Sequence, residues 1–134
     1  MKKFLVIGNP IEHSLSPALH NYWIKINGIK AIYEKLKLNE DELEQIILQV
    51  KEKKVNGINV TVPFKKSVIS FLDKVEIPEK TQSVNTIYIE KNNINGSNKI
   101  VGRNTDIIGF KYSLEQIKYN IKGKKIFVLG AGGV

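Results

Sequence analysis

Short apolar runs alternate along this chain with segments of helical periodicity, and that alternation restricts the fold more than any other feature of the sequence. Lys3 to Gly8 reads as a short buried strand. Leu15, Ala18, Leu19, Tyr22, Trp23 and Ile26 follow at i, i+3, i+4, i+7, i+8 and i+11, the apolar stripe of a helix. Ser16 before Pro17 suits its start, and Asn27-Gly28 its end. Ala31 to Leu38 predicts a second strand, and Asn39 with Glu42 predicts a capping box opening a helix that carries Leu43, Ile46, Ile47 and Val50. In the third run, Ile58, Val60 and Val62 alternate with Asn59 and Thr61, so one face is core and the other can hold a ligand. Pro63 cannot donate to a ladder, so the strand should end there and deliver Lys65 to the loop beyond its carboxyl end. Such a pattern implies a parallel sheet of βαβ units, with ligands bound outside the carboxyl ends of the strands.

The pattern changes further along. Lys66 to Phe71 predicts a short helical stretch and Glu76 to Gln82 an irregular one, with Pro78 against a continuous helix. Val84 to Glu90 and Lys99 to Gly102 predict strands around the polar loop Lys91 to Asn98, where Asn95-Gly96 favours a hairpin. Ile107, Phe110, Leu114 and Ile117 give a further helix its apolar stripe. Lys124 to Leu129 is a compact apolar run leading into Gly130-Ala131-Gly132-Gly133. A glycine-rich turn after a strand normally opens a helix whose first amides hold a pyrophosphate. The chain stops at Val134, so the expectation is a first domain, 1–103, followed by a connecting helix and the start of a second, 104–134.

Composition excludes several classes. The chain lacks cysteine, which removes disulfide scaffolds and thiolate metal sites, and no metal site is expected. No apolar run approaches a membrane span, and the stretch after Met1-Lys2-Lys3 is too short for a signal peptide, so the expectation is a cytoplasmic protein without a membrane partner. A net charge of +8 raises nucleic acid as a partner, yet 20 of the 21 basic residues are lysines. Direct base reading leans on bidentate arginine, and the lysines lie interleaved with acids as on a solvated helix face, so no nucleic-acid partner is expected.

Four further polar clusters flank the predicted strand ends: Gly8-Asn9-Pro10 to Ser14-Leu15-Ser16-Pro17, Ser83-Val84-Asn85-Thr86, Gly102-Arg103-Asn104-Thr105-Asp106, and the Gly130 turn. Each has a plainer reading. Ser16 fits a helix cap, Ser14 a loop hydroxyl, Asp106 a first helical turn complementing the macrodipole, and Asn85 a partner of local backbone; Asn59 and Thr61 equally fit the solvent face of an edge strand, and Lys65 one more surface lysine.

In order and spacing these clusters resemble the shikimate dehydrogenase family, NADP-dependent oxidoreductases of aromatic biosynthesis that interconvert 3-dehydroshikimate and shikimate on the route to chorismate. The resemblance runs from Gly8 to Gly133. It implies an α/β fold, a mostly parallel sheet flanked by helices with an antiparallel hairpin, followed by the first strand of a truncated Rossmann-like domain. It implies that Ser14 and Ser16 hold the substrate carboxylate and that Asn59, Thr61 and Asn85 bind ring hydroxyls. Lys65 is implied as the catalytic lysine, with Asp106 beside it and also toward the ring hydroxyls. Gly130, Ala131, Gly132 and Gly133 correspond to the family's dinucleotide turn, with NADP as cofactor. Hydride transfer to a ketone leaves an alkoxide that must gain a proton, which suits a lysine oriented by an aspartate. Ile107 stands where the family commonly has glycine, and Gln82-Ser83 replaces the usual Gly-Ala. A quinate-accepting relative and a non-catalytic module sensing a small carboxylate are the alternatives. The oligomeric state is open, a homodimer included.

Overall fold

The computed structural model describes residues 1–78, 80–91 and 97–130. Six strands, β1 (Lys2–Gly8), β2 (Ala31–Lys37), β3 (Gly57–Val60), β4 (Lys74–Glu76), β5 (Thr86–Lys91) and β6 (Asn98–Arg103), form one sheet in the order β2-β1-β3-β5-β6-β4. Helices α1 (Ser16–Ile26), α2 (Leu43–Lys51) and α3 (Asp106–Gln116) join or follow them. β1 pairs parallel to both β2 and β3, as the βαβ pattern requires, and β4 pairs parallel to β6. The direction reverses at β5, which is antiparallel to β3 and to β6. The sheet is therefore mixed. One edge collects the carboxyl ends of β1, β2 and β3, the amino end of β5 and the carboxyl ends of β4 and β6.

The pleat of β1 separates two environments. Leu5 and Ile7 join Ile58, Val60 and Ile87 against Leu43, Ile46, Ile47 and Val50 of α2, in a continuous apolar cluster. Val6 turns the other way, toward α1, with Ile11 and Tyr33. At the start of α2's segment the Asn39 N–H donates to the Glu42 carboxylate at 2.7 Å, as the capping pattern predicts.

Several expectations need correction. β3 ends at Val60 rather than Pro63, although the Thr61 N–H still reaches the Ile7 carbonyl at 2.9 Å. Beyond it the chain turns away, with the Phe64 N–H on the Thr61 carbonyl. Glu76, placed in an irregular stretch, closes β4, whose register against β6 pairs it with Arg103. β5 begins at Thr86 rather than Val84, because the Val84 N–H is taken by the Lys65 carbonyl. The stripe of α1 is not core: Leu15, Leu19, Tyr22, Trp23 and Ile26 are exposed, while the half-buried residues are Ser16, Pro17, His20, Asn21 and Ile24. Asn21 explains the orientation, since its side chain both accepts from the Tyr33 N–H and donates to the Tyr33 carbonyl, which binds α1 to β2 through a polar face. Ile107 and Phe110 of α3, and Ile117 just past its end, are likewise exposed. Lys124 to Leu129 forms no strand; among the described residues it has no ladder partner, and Phe127 and Leu129 are 87% and 88% exposed. Asn95-Gly96 lies outside the described residues.

Candidate active site

Apart from the glycine turn, the residues singled out in sequence gather at one edge of the sheet, in two groups. The first surrounds a cleft of about 260 Å³ lined by Ser14, Ser16 and Thr61 together with His13, Pro10, Ile11 and Val6. Gly8 makes the approach of its walls feasible: a Cβ there would lie 2.6 Å from Thr61 Cγ2 and 3.0 Å from the Val62 carbonyl oxygen. The loop after β1 is held by the Asn9 N–H on the Val62 carbonyl and the Asn9 side chain on the Leu38 carbonyl, at 3.0 and 3.1 Å. Glu12 fastens the same loop to β2. Its carboxylate accepts from Lys37 at 2.8 Å and its carbonyl from Lys35 at 2.5 Å. The Lys37 hydrogen bond, with local backbone donors, holds the Glu12 carboxyl down at about 2.

Ser16 opens α1, with Pro17 in the first turn, but the cap residue is Leu15, whose own side chain offers no cap. The Ser14 hydroxyl takes the Ser16 N–H at 3.3 Å, which leaves its own O–H to donate. Both hydroxyls therefore sit where a helix presents unpaired amides and positive dipole.

The second group is a hydrogen-bonded network ending at an ion pair. Lys65 Nζ lies 2.6 Å from Asp106 Oδ2, with the lysine side chain only 12% exposed and the aspartate 39%. The Lys65 backbone is pinned by the Val84 N–H at 2.8 Å. Asp106 stands in the first turn of α3, so the helix-dipole reading and the lysine partnership hold together. Asn104 fixes that turn by donating to the Ser83 carbonyl at 2.9 Å and accepting the Ile107 N–H at 3.1 Å. Asn85 is buried at 7% exposure. Its Oδ1 accepts from the Thr105 N–H at 2.8 Å and from Thr86 Oγ1 at 3.1 Å, and its Nδ2 donates to Thr105 Oγ1 at 2.9 Å. Asn59 donates to the Asn85 carbonyl and to Thr86 Oγ1, at 3.3 and 3.2 Å. Its Oδ1 accepts the Tyr33 hydroxyl at 2.7 Å.

Residues 6–87 match the family described as shikimate dehydrogenase substrate binding domain. The chain belongs to the shikimate dehydrogenase family. It is 57% identical over 134 residues to the shikimate dehydrogenase (NADP(+)) of Pelagibacter ubique, across 99% of this chain and 48% of that protein. With the enzyme of the same name from Aquifex aeolicus the identity is 46% over 129 residues, across 96% and 46%. The crystal structure of shikimate dehydrogenase 1 from Peptoclostridium difficile superimposes with a TM-score of 0.85 at 29% identity, over 99% of this chain and 47% of that one. A Thermus thermophilus shikimate 5-dehydrogenase in complex with shikimate gives 0.79 at 31% identity, over 92% and 46%. The chain thus spans about half the length of the curated relatives it matches.

Ser14, Ser16, Asn59, Thr61, Lys65 and Asn85 all fall inside the matched shikimate dehydrogenase segment, and Asp106 lies beyond it, tied back by its ion pair. Three participants carried no signal of their own in the sequence. Tyr33 reads as an ordinary strand aromatic, while Thr86 and Thr105 lie in noticed clusters as neighbours of more suggestive residues. His13, on the cleft wall, had only its place beside Ser14 to mark it. Of the glycine turn, Gly130 is described, with a φ of +94° that favours glycine. Ala131, Gly132 and Gly133 lie outside the described residues. With Lys124 to Leu129 unpaired, the described residues build no cradle for a dinucleotide.

Proposed function

We propose that this chain is the substrate-binding and proton-handling part of an enzyme that interconverts 3-dehydroshikimate and shikimate with NADP(H), within the route to chorismate and the aromatic amino acids. The observation that carries this reading is the largely enclosed Lys65, 2.6 Å from Asp106, on the loop past β3 where open sheets bind their ligands. NADP, which is in the names of the relatives, would carry the hydride; the roles assigned here belong to this chain's own groups.

The substrate carboxylate meets the Ser14 and Ser16 hydroxyls at the start of α1, where donors and helix dipole favour an anion. Thr61 faces the same cleft and serves a ring hydroxyl. Asn85 adds a donor: one Nδ2 hydrogen is used on Thr105, leaving the other for a ligand oxygen. When the carbonyl carbon is reduced, its oxygen gains a proton. The Lys65 ammonium supplies that proton, and the resulting amine is reprotonated from solvent. Asp106 holds the ammonium in place and stabilises its charge. In the oxidising direction the neutral amine takes the hydroxyl proton.

Residues 1–103 are read as the substrate domain and 104–134 as a connecting helix and the beginning of the cofactor domain. The solvent-exposed apolar run Ile126 to Leu129 supports that division, since a strand of this composition is stable only when paired. Among the described residues no helix is long and apolar enough to cross a membrane; a cytoplasmic location without nucleic-acid or membrane partners is the reading that the composition suggests.

The decisive test replaces the corresponding half of the Pelagibacter ubique relative with residues 1–134 and follows shikimate-dependent reduction of NADP+. The expected result is a folded, active chimera that loses activity with Lys65→Ala. A folded chimera without turnover, or one indifferent to Lys65→Ala, overturns the reading.

A further inference from the structure

Tyr33 is buried at 4% exposure on the α1 side of β2, and its hydroxyl bonds Asn59 Oδ1 at 2.7 Å. The direction of each bond around it is fixed by chemistry. The Asn85 carbonyl only accepts, so the Asn59 amide must turn Nδ2 toward it, and Oδ1 is left facing Tyr33. The phenol is then necessarily the donor, and burial pushes its pKa up to about 12, so it keeps that proton throughout the neutral range. The second Asn59 N–H enters Thr86 Oγ1 at 3.2 Å, and Thr86 Oγ1 lies 3.1 Å from Asn85 Oδ1, to which its hydroxyl donates, and 3.5 Å from Thr105 Oγ1. Asn85 in turn presents Nδ2 toward Thr105 and the edge where a ligand would lie.

The other side of the ring is equally constrained. His20 stacks on Tyr33 with centroids 4.1 Å apart and planes 9° from parallel. Its Nδ1 lies 2.9 Å from the Ser16 carbonyl, an acceptor, so Nδ1 carries the hydrogen. One phenol thus joins the helix start bearing Ser16 to the amides bearing the ring-hydroxyl contacts.

We propose that Tyr33 is a positioning residue for substrate binding, fixing the Asn59 amide together with the Asn85 carbonyl and, through Thr86, bracing the Asn85 side chain that the Thr105 N–H also orients. The proposal rests on the functional reading above, because it names what orients that site. Asn59 accordingly acts through its neighbours: its two N–H groups and its carbonyl oxygen are all engaged within the protein.

The test uses the 134-residue chain and the variants Tyr33→Phe, Thr86→Val and Thr86→Ser, with two readouts: calorimetric titration with shikimate, and the side-chain amide NMR signals of Asn59 and Asn85. The amide signals need no ligand, so they judge the relay even if the chain fails to bind shikimate, a result that counts against the functional reading alone. The expected outcome is that Tyr33→Phe shifts both amide signals and weakens shikimate about five- to tenfold, as loss of one buried hydrogen-bond donor would. Thr86→Val should shift the Asn85 signal, Thr86→Ser should restore it, and the Tyr33→Phe/Thr86→Val double variant should bind no worse than the poorer single one. If Tyr33→Phe does not fold, the Thr86 pair decides by the same signals. Amide signals unmoved by Tyr33→Phe, or by Thr86→Val where the first is unfolded, overturn the proposal, as do losses that add in the double variant.

Discussion

The two faces of the central strands have opposite chemistry. Toward α2, Leu5, Ile7, Ile58, Val60 and Ile87 meet an apolar helix face in one continuous hydrophobic cluster. Toward α1, a small apolar cluster of Val6, Ile11 and Tyr33 lies beside Asn59, the β2 phenol of Tyr33 and the wall of the cleft, which are joined by hydrogen bonds. The dry face supplies stability through burial, roughly proportional to area and indifferent to orientation. The wet face supplies direction, because each amide and hydroxyl has one satisfying arrangement. Fold and chemistry are in this way separable across the thickness of one sheet.

The separation can be tested variant by variant. Lys65→Ala should reduce turnover of the chimeric enzyme by about 10²- to 10⁴-fold, the scale of a lost general acid, with thermal unfolding close to wild type; a large drop in melting temperature would show that the wet face also carries the fold. Leu43, fully buried against the dry face, should behave conversely. Leu43→Ala is expected to cost about 2–5 kcal/mol of stability in denaturant melts, with shikimate affinity unchanged where the protein is folded. Gly8→Ala forces a methyl to within 2.6 Å of Thr61 Cγ2. It should weaken shikimate a few-fold, roughly 1 kcal/mol, and crystallography of the variant should find Thr61 displaced. The smallest effect concerns pH. Glu12 is lowered from 4.5 to about 2 by Lys37 and backbone donors, so its contribution is complete above pH 4.5 and lost as pH falls through 2. Melting curves between pH 5 and 2 should show Glu12→Gln flattening that dependence slightly, without altering the neutral-pH melt of the dry core.

How much of this was legible in the sequence depends on how local the cause is. β1, β2 and α2 obey periodicities that a short window contains; the strand bounds hold to within a residue, while the segment capped by Asn39 opens with a 3-10 turn, Glu40–Glu42, before α2 begins at Leu43. The stripe of α1 misled because helical spacing says which residues share a face, not which face turns inward; Asn21 and its bonds to Tyr33 decide that. β4 left little trace, since three residues with charges at both ends become a strand only through β6 and the Arg103–Glu76 ion pair. Lys124 to Leu129 has strand composition, but a strand is a relation between two segments. In the site, Lys65 and Asp106 lie 41 residues apart and were joined beforehand only through family resemblance. Tyr33 escaped because an aromatic in an apolar run reads as packing, and the acceptor of its proton is 26 residues away.

The reversal of chain direction at β5 has a practical consequence for handling the protein. Because Thr86 faces Arg103 at the site edge and Lys91 faces Asn98 at the other end, the connection between β5 and β6 departs about 17 Å along the strands from the ligand groups, at roughly 3.3 Å per residue. A fluorophore, affinity handle or surface tether spliced between Lys91 and Asn98 would report on or immobilise the molecule from its far end, leaving the binding edge facing freely into solution.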